Sequence, residues 1–195
     1  MRNPVRLKNL RLRFLPFFAL GLAGLWLAEP TSLGLGVGGA CVVIGGALRT
    51  WGAGHLVKNE RLTITGPYAH MRHPLYAGTL LIAVGFAIVI GGLYALGLLA
   101  LLLPWFFFAY FPRKERSESE RLEQIYGPAF AAYRDSVPAI LPSFGGWQPA
   151  AETTALANSS QGWEASRYAD NNELGTLIAW VGGLLLFTLR AQISL

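Results

Sequence analysis

Charge is what this chain has least of. Only 14% of its 195 residues are Asp, Glu, Lys or Arg, while 53% are hydrophobic. Ordinary soluble domains carry about a quarter charged residues, so the composition points to one compact membrane domain over 1–195. Cysteine is nearly absent. Cys41 stands alone inside an apolar run, which excludes a disulfide framework and a cysteine-based metal site. The three histidines, His55, His70 and His73, form no HExxH or paired-carboxylate pattern, so no metal ligand set is expected. There is no P-loop, no GxGxxG after a strand and no βαβ alternation, which excludes the soluble nucleotide-binding folds. No nucleic-acid partner is expected, and no catalytic triad is visible.

What is present is a series of apolar runs, roughly 14–28, 33–54, 75–90, 93–111 and 174–189. A helix needs about 20 apolar residues to cross ~30 Å of hydrocarbon. The first and third runs are short and would rely on interfacial flanks or local thinning. The basic start of the chain, followed by an apolar run, lacks a clear small-residue cleavage site and is expected to be a retained first span. Gly91-Gly92 predicts a tight turn that folds the third and fourth runs into an antiparallel hairpin. Three basic segments fall on one side if every run crosses: Arg2 to Arg13, then Lys58, Arg61 and Arg72, then Arg113 to Arg121. That side is assigned to the cytosol. The expected architecture is all-α, with about five transmembrane helices and a cytosolic pocket capped by short helices.

Glycines crowd the second run, where small residues let membrane helices approach closely. Arg49 lies in the same run and either snorkels to the interface or pairs inside the bundle. After Phe111, the residues Leu122, Ile125, Tyr126, Ala129, Phe130, Tyr133 and Val137 make an apolar stripe at helical spacing. Gly127-Pro128 interrupts it, predicting two short helices. Residues 143–172 are polar with no periodicity and read as a cytosolic linker before the last span, 174–189.

The most informative stretch is Gly66-Pro67-Tyr68-Ala69-His70-Met71-Arg72-His73-Pro74-Leu75-Tyr76. A cationic pair at a membrane edge needs a reason, because charge is expensive in hydrocarbon. Pro74 suits the first position of a helix, where its missing N–H costs nothing. Arg72 and His73 then lie at a helix entrance, where donors converge on a polar or anionic ligand. The hairpin brings this rim to the same membrane face as the segment 113–123. The bland alternatives are topology signals for the arginines, interfacial belt residues for Tyr68 and Tyr76, and a surface ion pair for Glu118.

The stretch from Glu60-Arg61-Leu62-Thr63 to His73-Pro74-Leu75-Tyr76 resembles the cofactor motif of the isoprenylcysteine carboxyl methyltransferase family, integral membrane enzymes related to the phospholipid methyltransferases. A second block follows at the family's distance: Glu118, Leu122, Tyr126-Gly127, Tyr133, Val137-Pro138 and Leu141-Pro142. The similarity covers roughly 47–142. It implies a methyltransferase using S-adenosylmethionine. Carried over residue by residue, Glu60, Arg61, Leu62, Thr63, Tyr68, His73, Pro74, Leu75 and Tyr76 would hold the cofactor. The family's acceptor-contacting Arg and Glu read here as Lys114 and Glu118, with Arg72 and Arg116 in support. Lys114 lacks the guanidinium fork that clamps a carboxylate, and Ser119 stands where the family has a second Glu.

That chemistry suits the residues. S-adenosylmethionine carries its own leaving group, so the protein needs only to align donor and acceptor. A carboxylate acceptor is already ionised at neutral pH and needs no base. The expected partner is therefore a lipophilic or prenylated acceptor in a lipid membrane, with a prenylcysteine-type carboxylate favoured. A phospholipid or other small-lipid amine is the alternative; it would need a proton removed, by Glu118 or His73. A non-catalytic scaffold is a further alternative. Transport is disfavoured, because the sequence shows no buried charge pair and no repeated half.

Overall fold

The computed structural model describes residues 19, 21–57, 61–149 and 162–193. Among them the chain is helical and forms no strand. Helix α1 covers residues 21–27, α2 is Ser32–His55, α3 Pro74–Ile90 and α4 Gly92–Pro104. A π-helical segment, Trp105–Tyr110, joins α4 to α5, Phe111–Tyr126. Then come α6 Pro128–Ser136, α7 Ala165–Asp170 and α8 Glu173–Ile193. The basic N-terminal residues, Lys58 and Glu60 lie outside the described residues.

Among the described residues three helices are long and apolar enough to cross a membrane: Ser32–His55, the continuous Gly92–Tyr126, and Glu173–Ile193. α3 is apolar but has only 17 residues. Residues 14–18 and 20 of the first expected span lie outside the described residues. The run from Gly92 to Tyr126 has 35 residues, about 52 Å at helical rise. Its charged end must therefore project from a hydrocarbon layer of about 30 Å.

The expected glycine packing is between α2 and α3. A methyl group on Gly38 would stand 2.5 Å from the Gly85 carbonyl oxygen, and one on Gly45 would stand 2.6 Å from that of Gly78. Such separations admit only hydrogen at both positions, and the backbones touch. α8 packs on the other side of α2, with Trp180 over Gly46 and Phe86 of α3 against Gly183. Thr31 caps α2 through a bond from the Gly34 N–H, 3.0 Å. Gly91 and Gly92 turn the chain with φ of 74° and 58°, as the sequence predicts.

A core forms from Leu62, Ile64, Phe130, Tyr133 and Val137, with Leu122, Tyr126 and Trp147 against it. The predicted stripe is thus real except at Ile125, which is exposed, and Gly127 breaks it with φ of 51°. Two features differ from the sequence expectation. α5 continues α4 without a break, because the Phe111 N–H reaches back five residues to the Phe106 carbonyl. This wider winding accommodates Pro112, which has no N–H to donate. Parts of the presumed linker 143–172 are docked: Ser143 N–H bonds the His70 carbonyl, Trp147 N–H bonds that of Ala69, and α7 seats beside α2.

Candidate functional site

Hydrogen bonds fix the segment that leads into α3. The Arg72 and His73 N–H groups donate to the carbonyls of Pro138 and Ala139, each at 2.9 Å. Arg72 Nε donates to the Val137 carbonyl at 3.0 Å. The Tyr133 hydroxyl donates to the Tyr68 carbonyl at 2.8 Å. The segment after α6 therefore clamps the segment before α3, and Pro74 opens α3 as expected.

Between this clamped segment and α5 lies a cavity of about 430 Å³, within the range of small-molecule sites. It is lined by Arg61, Leu62, Thr63, Tyr68, Arg72 and the quartet His73-Pro74-Leu75-Tyr76, together with Glu118. All the described residues expected to hold a cofactor thus meet at one cavity, and Glu118 joins them. Two expected residues do not. Lys114 faces a separate groove with Trp105, Tyr110, Arg113 and Ser117, and the exposed Arg116 does not line the cavity. The half-buried stripe of α5 runs through Glu115, Glu118, Ser119, Leu122 and Tyr126. One residue back from Glu115 is a turn of about 100°, which carries Lys114 off that face.

Glu115 was missed by the sequence argument and is central. It lies behind His73, and His73 Nε2 and Arg72 both bond its carboxylate, Arg72 Nη1 at 2.5 Å. Ser119 donates to the same carboxylate at 3.2 Å. The nearby Glu118 accepts the Tyr76 hydroxyl and lies 3.5 Å from His73 Nδ1. The i,i+3 spacing of Glu115 and Glu118 was the available signal. The cavity wall also includes Leu56, Val57, Arg121, Ile125 and Phe130, which carried no motif.

The electrostatics follow from this pairing. Burial opposes a charge on His73, but bonds to Glu115 and Glu118 outweigh it and raise its pKa above the ordinary imidazole value. Burial likewise works against Glu115, yet His73 and Arg72 hold its carboxyl down at about 2. Glu118 is also lowered: burial opposes ionisation, and His73 and Tyr76 prevail. Burial pushes the Tyr68 phenol up, so it remains a neutral donor. The site can present the Glu118 carboxylate, an imidazole and apolar side chains to one ligand. No group of three or more His, Cys, Asp or Glu suited to a metal occurs among the described residues.

The family model for phospholipid methyltransferase matches residues 35–129. That segment is similar to the phospholipid methyltransferases. The family segment runs from α2 into α6 and contains the whole first block and Glu118, but stops short of Tyr133 and Val137. A protein-S-isoprenylcysteine O-methyltransferase of Schizosaccharomyces pombe is 31% identical over 93 residues, 45% of this chain and 38% of its own. A cobalt-zinc-cadmium resistance protein, CzcN, of Cupriavidus metallidurans is 34% identical over 121 residues, 61% of this chain and 52% of its own. The resemblance to the isoprenylcysteine enzymes is therefore borne out, although the chain spans about half or less of each relative's length. No solved structure matches.

Proposed function

We propose that this protein is an integral membrane methyltransferase that moves the methyl group of S-adenosylmethionine to a lipophilic acceptor, in first place a carboxylate of the prenylcysteine type. The observation that carries the proposal is the meeting of the two sequence blocks at one cavity, where Tyr76 and His73 engage Glu118. The lining fits such a donor. Leu62, Leu75 and Ile125 offer apolar surface for a flat base, and Tyr68 a neutral hydroxyl. The donor brings an electrophilic methyl and its own leaving group. The residues of this chain bind, orient and exclude water.

Glu115 and Glu118 are both held in the ionised range by their partners. Each is a weak proton acceptor, which favours an acceptor that arrives already ionised. The second reading, a phospholipid or other small-lipid amine, is favoured by the description of the matching family. The gathering of Arg61, Arg72 and Arg121 around the cavity supports its placement on the cytosolic face. The acceptor would come from the bilayer, between helices.

The deciding experiment is methyl transfer by purified protein from a radiolabelled donor to a panel of prenylcysteine, fatty acid and phospholipid acceptors. Label in the prenylcysteine product is expected. Label in a phospholipid amine alone would replace the first reading with the second. Binding of the donor without transfer to any member would leave a scaffold that kept the site.

A further inference from the structure

The last part of the chain, 162–193, lies beyond the residues that match the family. It nevertheless holds two pieces of the cavity wall from behind. The end of α2 leaves carbonyls that have no partner within the helix. The Glu164 N–H takes that of Gly54 at 3.0 Å. Asn171 Nδ2 donates to Ala53 at 2.8 Å and to Leu56 at 3.0 Å. Trp163 Nε1 adds a bond to the Thr50 carbonyl at 2.9 Å. Leu56, which Asn171 fixes, lines the cavity.

The second hold is a buried ion pair. Glu173, in the first turn of α8, grips Arg49 of α2 through two contacts, Nε to Oε2 at 3.0 Å and Nη2 to Oε1 at 2.5 Å. Both side chains are largely buried, 16% and 7% exposed. The remaining arm of the guanidinium, Nη1, donates to the Leu75 carbonyl at 3.1 Å and to the Thr79 hydroxyl. Arg49 crosses α3 at Gly78, where a methyl group would stand 2.6 Å from its Cγ. The sequence alone showed no such pair. It corrects the expectation that the chain buries none, and its three-way bonding ties α2, α3 and α8 at a cavity residue.

A buried ion pair is a poor way to gain stability, since apolar side chains of similar volume often do as well. In a membrane bundle an ionisable residue is expected to have a functional partner. Here one end of the pair is Leu75, between Pro74 and Tyr76. We propose that Glu173, acting through Arg49, is a positioning residue for the methyl-donor cavity, so that 162–193 completes a site begun by the family segment. This rests on the donor-binding reading above.

The test uses the full chain in nanodiscs and measures the affinity for S-adenosylmethionine by calorimetry alongside thermal stability. Wild type is expected to bind. Failure of folded wild type to bind would remove the donor reading and this proposal with it. Glu173→Gln should weaken donor binding about tenfold, and Glu173→Asp should recover part of it. The double variant Arg49→Leu with Glu173→Leu should keep a near-native melting temperature, because no charge is left unpaired, yet remain about tenfold weaker for the donor. Wild-type binding with unchanged affinity in the double variant would overturn the positioning role while leaving the donor reading intact. If neither the single nor the double variants fold, the pair is a folding element and the proposal is also overturned.

Discussion

The two walls of the cavity are built on opposite principles. One wall, residues 61–76 and the start of α3, rests on the α2–α3 pair, where backbones meet at Gly38, Gly45, Gly78 and Gly85. The other wall is α5, the end of a 35-residue helix in which neither α4 nor α5 buries a residue and Phe106 is the buried one between them. α5 reaches the first wall through Leu122 and Tyr126 at its far end, and through Glu115 and Glu118 in its middle. One wall is held by shape and the other largely by charge. Shape is insensitive to pH and intolerant of volume, while charge is the reverse.

The comparison breaks most completely on the packed side. Gly85→Val should abolish recovery of folded protein in detergent, because even a first methyl would lie 2.6 Å from the Gly38 carbonyl. Overpacking of this kind costs about 1–3 kcal/mol or more. Thermal unfolding of that variant at the wild-type temperature would show that the backbones can part cheaply.

His73 belongs to the packed wall but binds the charged one, so His73→Ala strikes both. Donor affinity should fall about ten- to hundred-fold, on the order of 1–3 kcal/mol for the lost bonds. An unchanged calorimetric constant in a folded variant would remove His73 from the donor site. Glu118→Gln keeps the shape and removes the charge. It should cut turnover about tenfold while changing donor affinity less. Wild-type turnover would reduce Glu118 to a surface partner.

The charged wall should also report pH. His73 is raised from 6.5, so its contribution is complete below 6.5 and fades as pH climbs through the raised value. Glu115 is lowered from 4.5 to about 2, so its contribution is present above 4.5 and fades as pH falls toward 2. Attachment of α5 is therefore strongest between about 4.5 and 6.5 and weakens on either side. Glu115→Gln should bring the alkaline loss of donor affinity to lower pH, because His73 loses its first partner. An identical pH profile for this variant would mean that the wall is not held by that pair.

The smallest effect is expected in the exposed helix. Nothing lies within 4 Å of a methyl group built on Gly97, so Gly97→Ala should change stability by no more than about 1 kcal/mol, on the stabilising side. A large loss would mean that α4 has a close partner after all, and the contrast between the walls would fade.

Much of this was legible in the chain itself. Composition decided the membrane class, Gly91-Gly92 the hairpin turn, Gly127-Pro128 the break between α5 and α6, and Pro74 the start of α3. Each is a local property, set by the φ range or hydrogen-bonding capacity of one or two residues. The cofactor block was legible because its residues are contiguous and enter the cavity together. Which face of α5 points inward was not legible. Lys114 and Glu115 are neighbours in sequence and about 100° apart on the helix, and the π-helical turn before them rotates both relative to α4. Nor could Arg49 be assigned a partner, since Glu173 stands 124 residues away. Periodicity fixes a helix's apolar face but not its rotation against another helix. Here the rotation was decided by glycine contacts between backbones and by bonds to a few buried charges, which exist only once the helices have met.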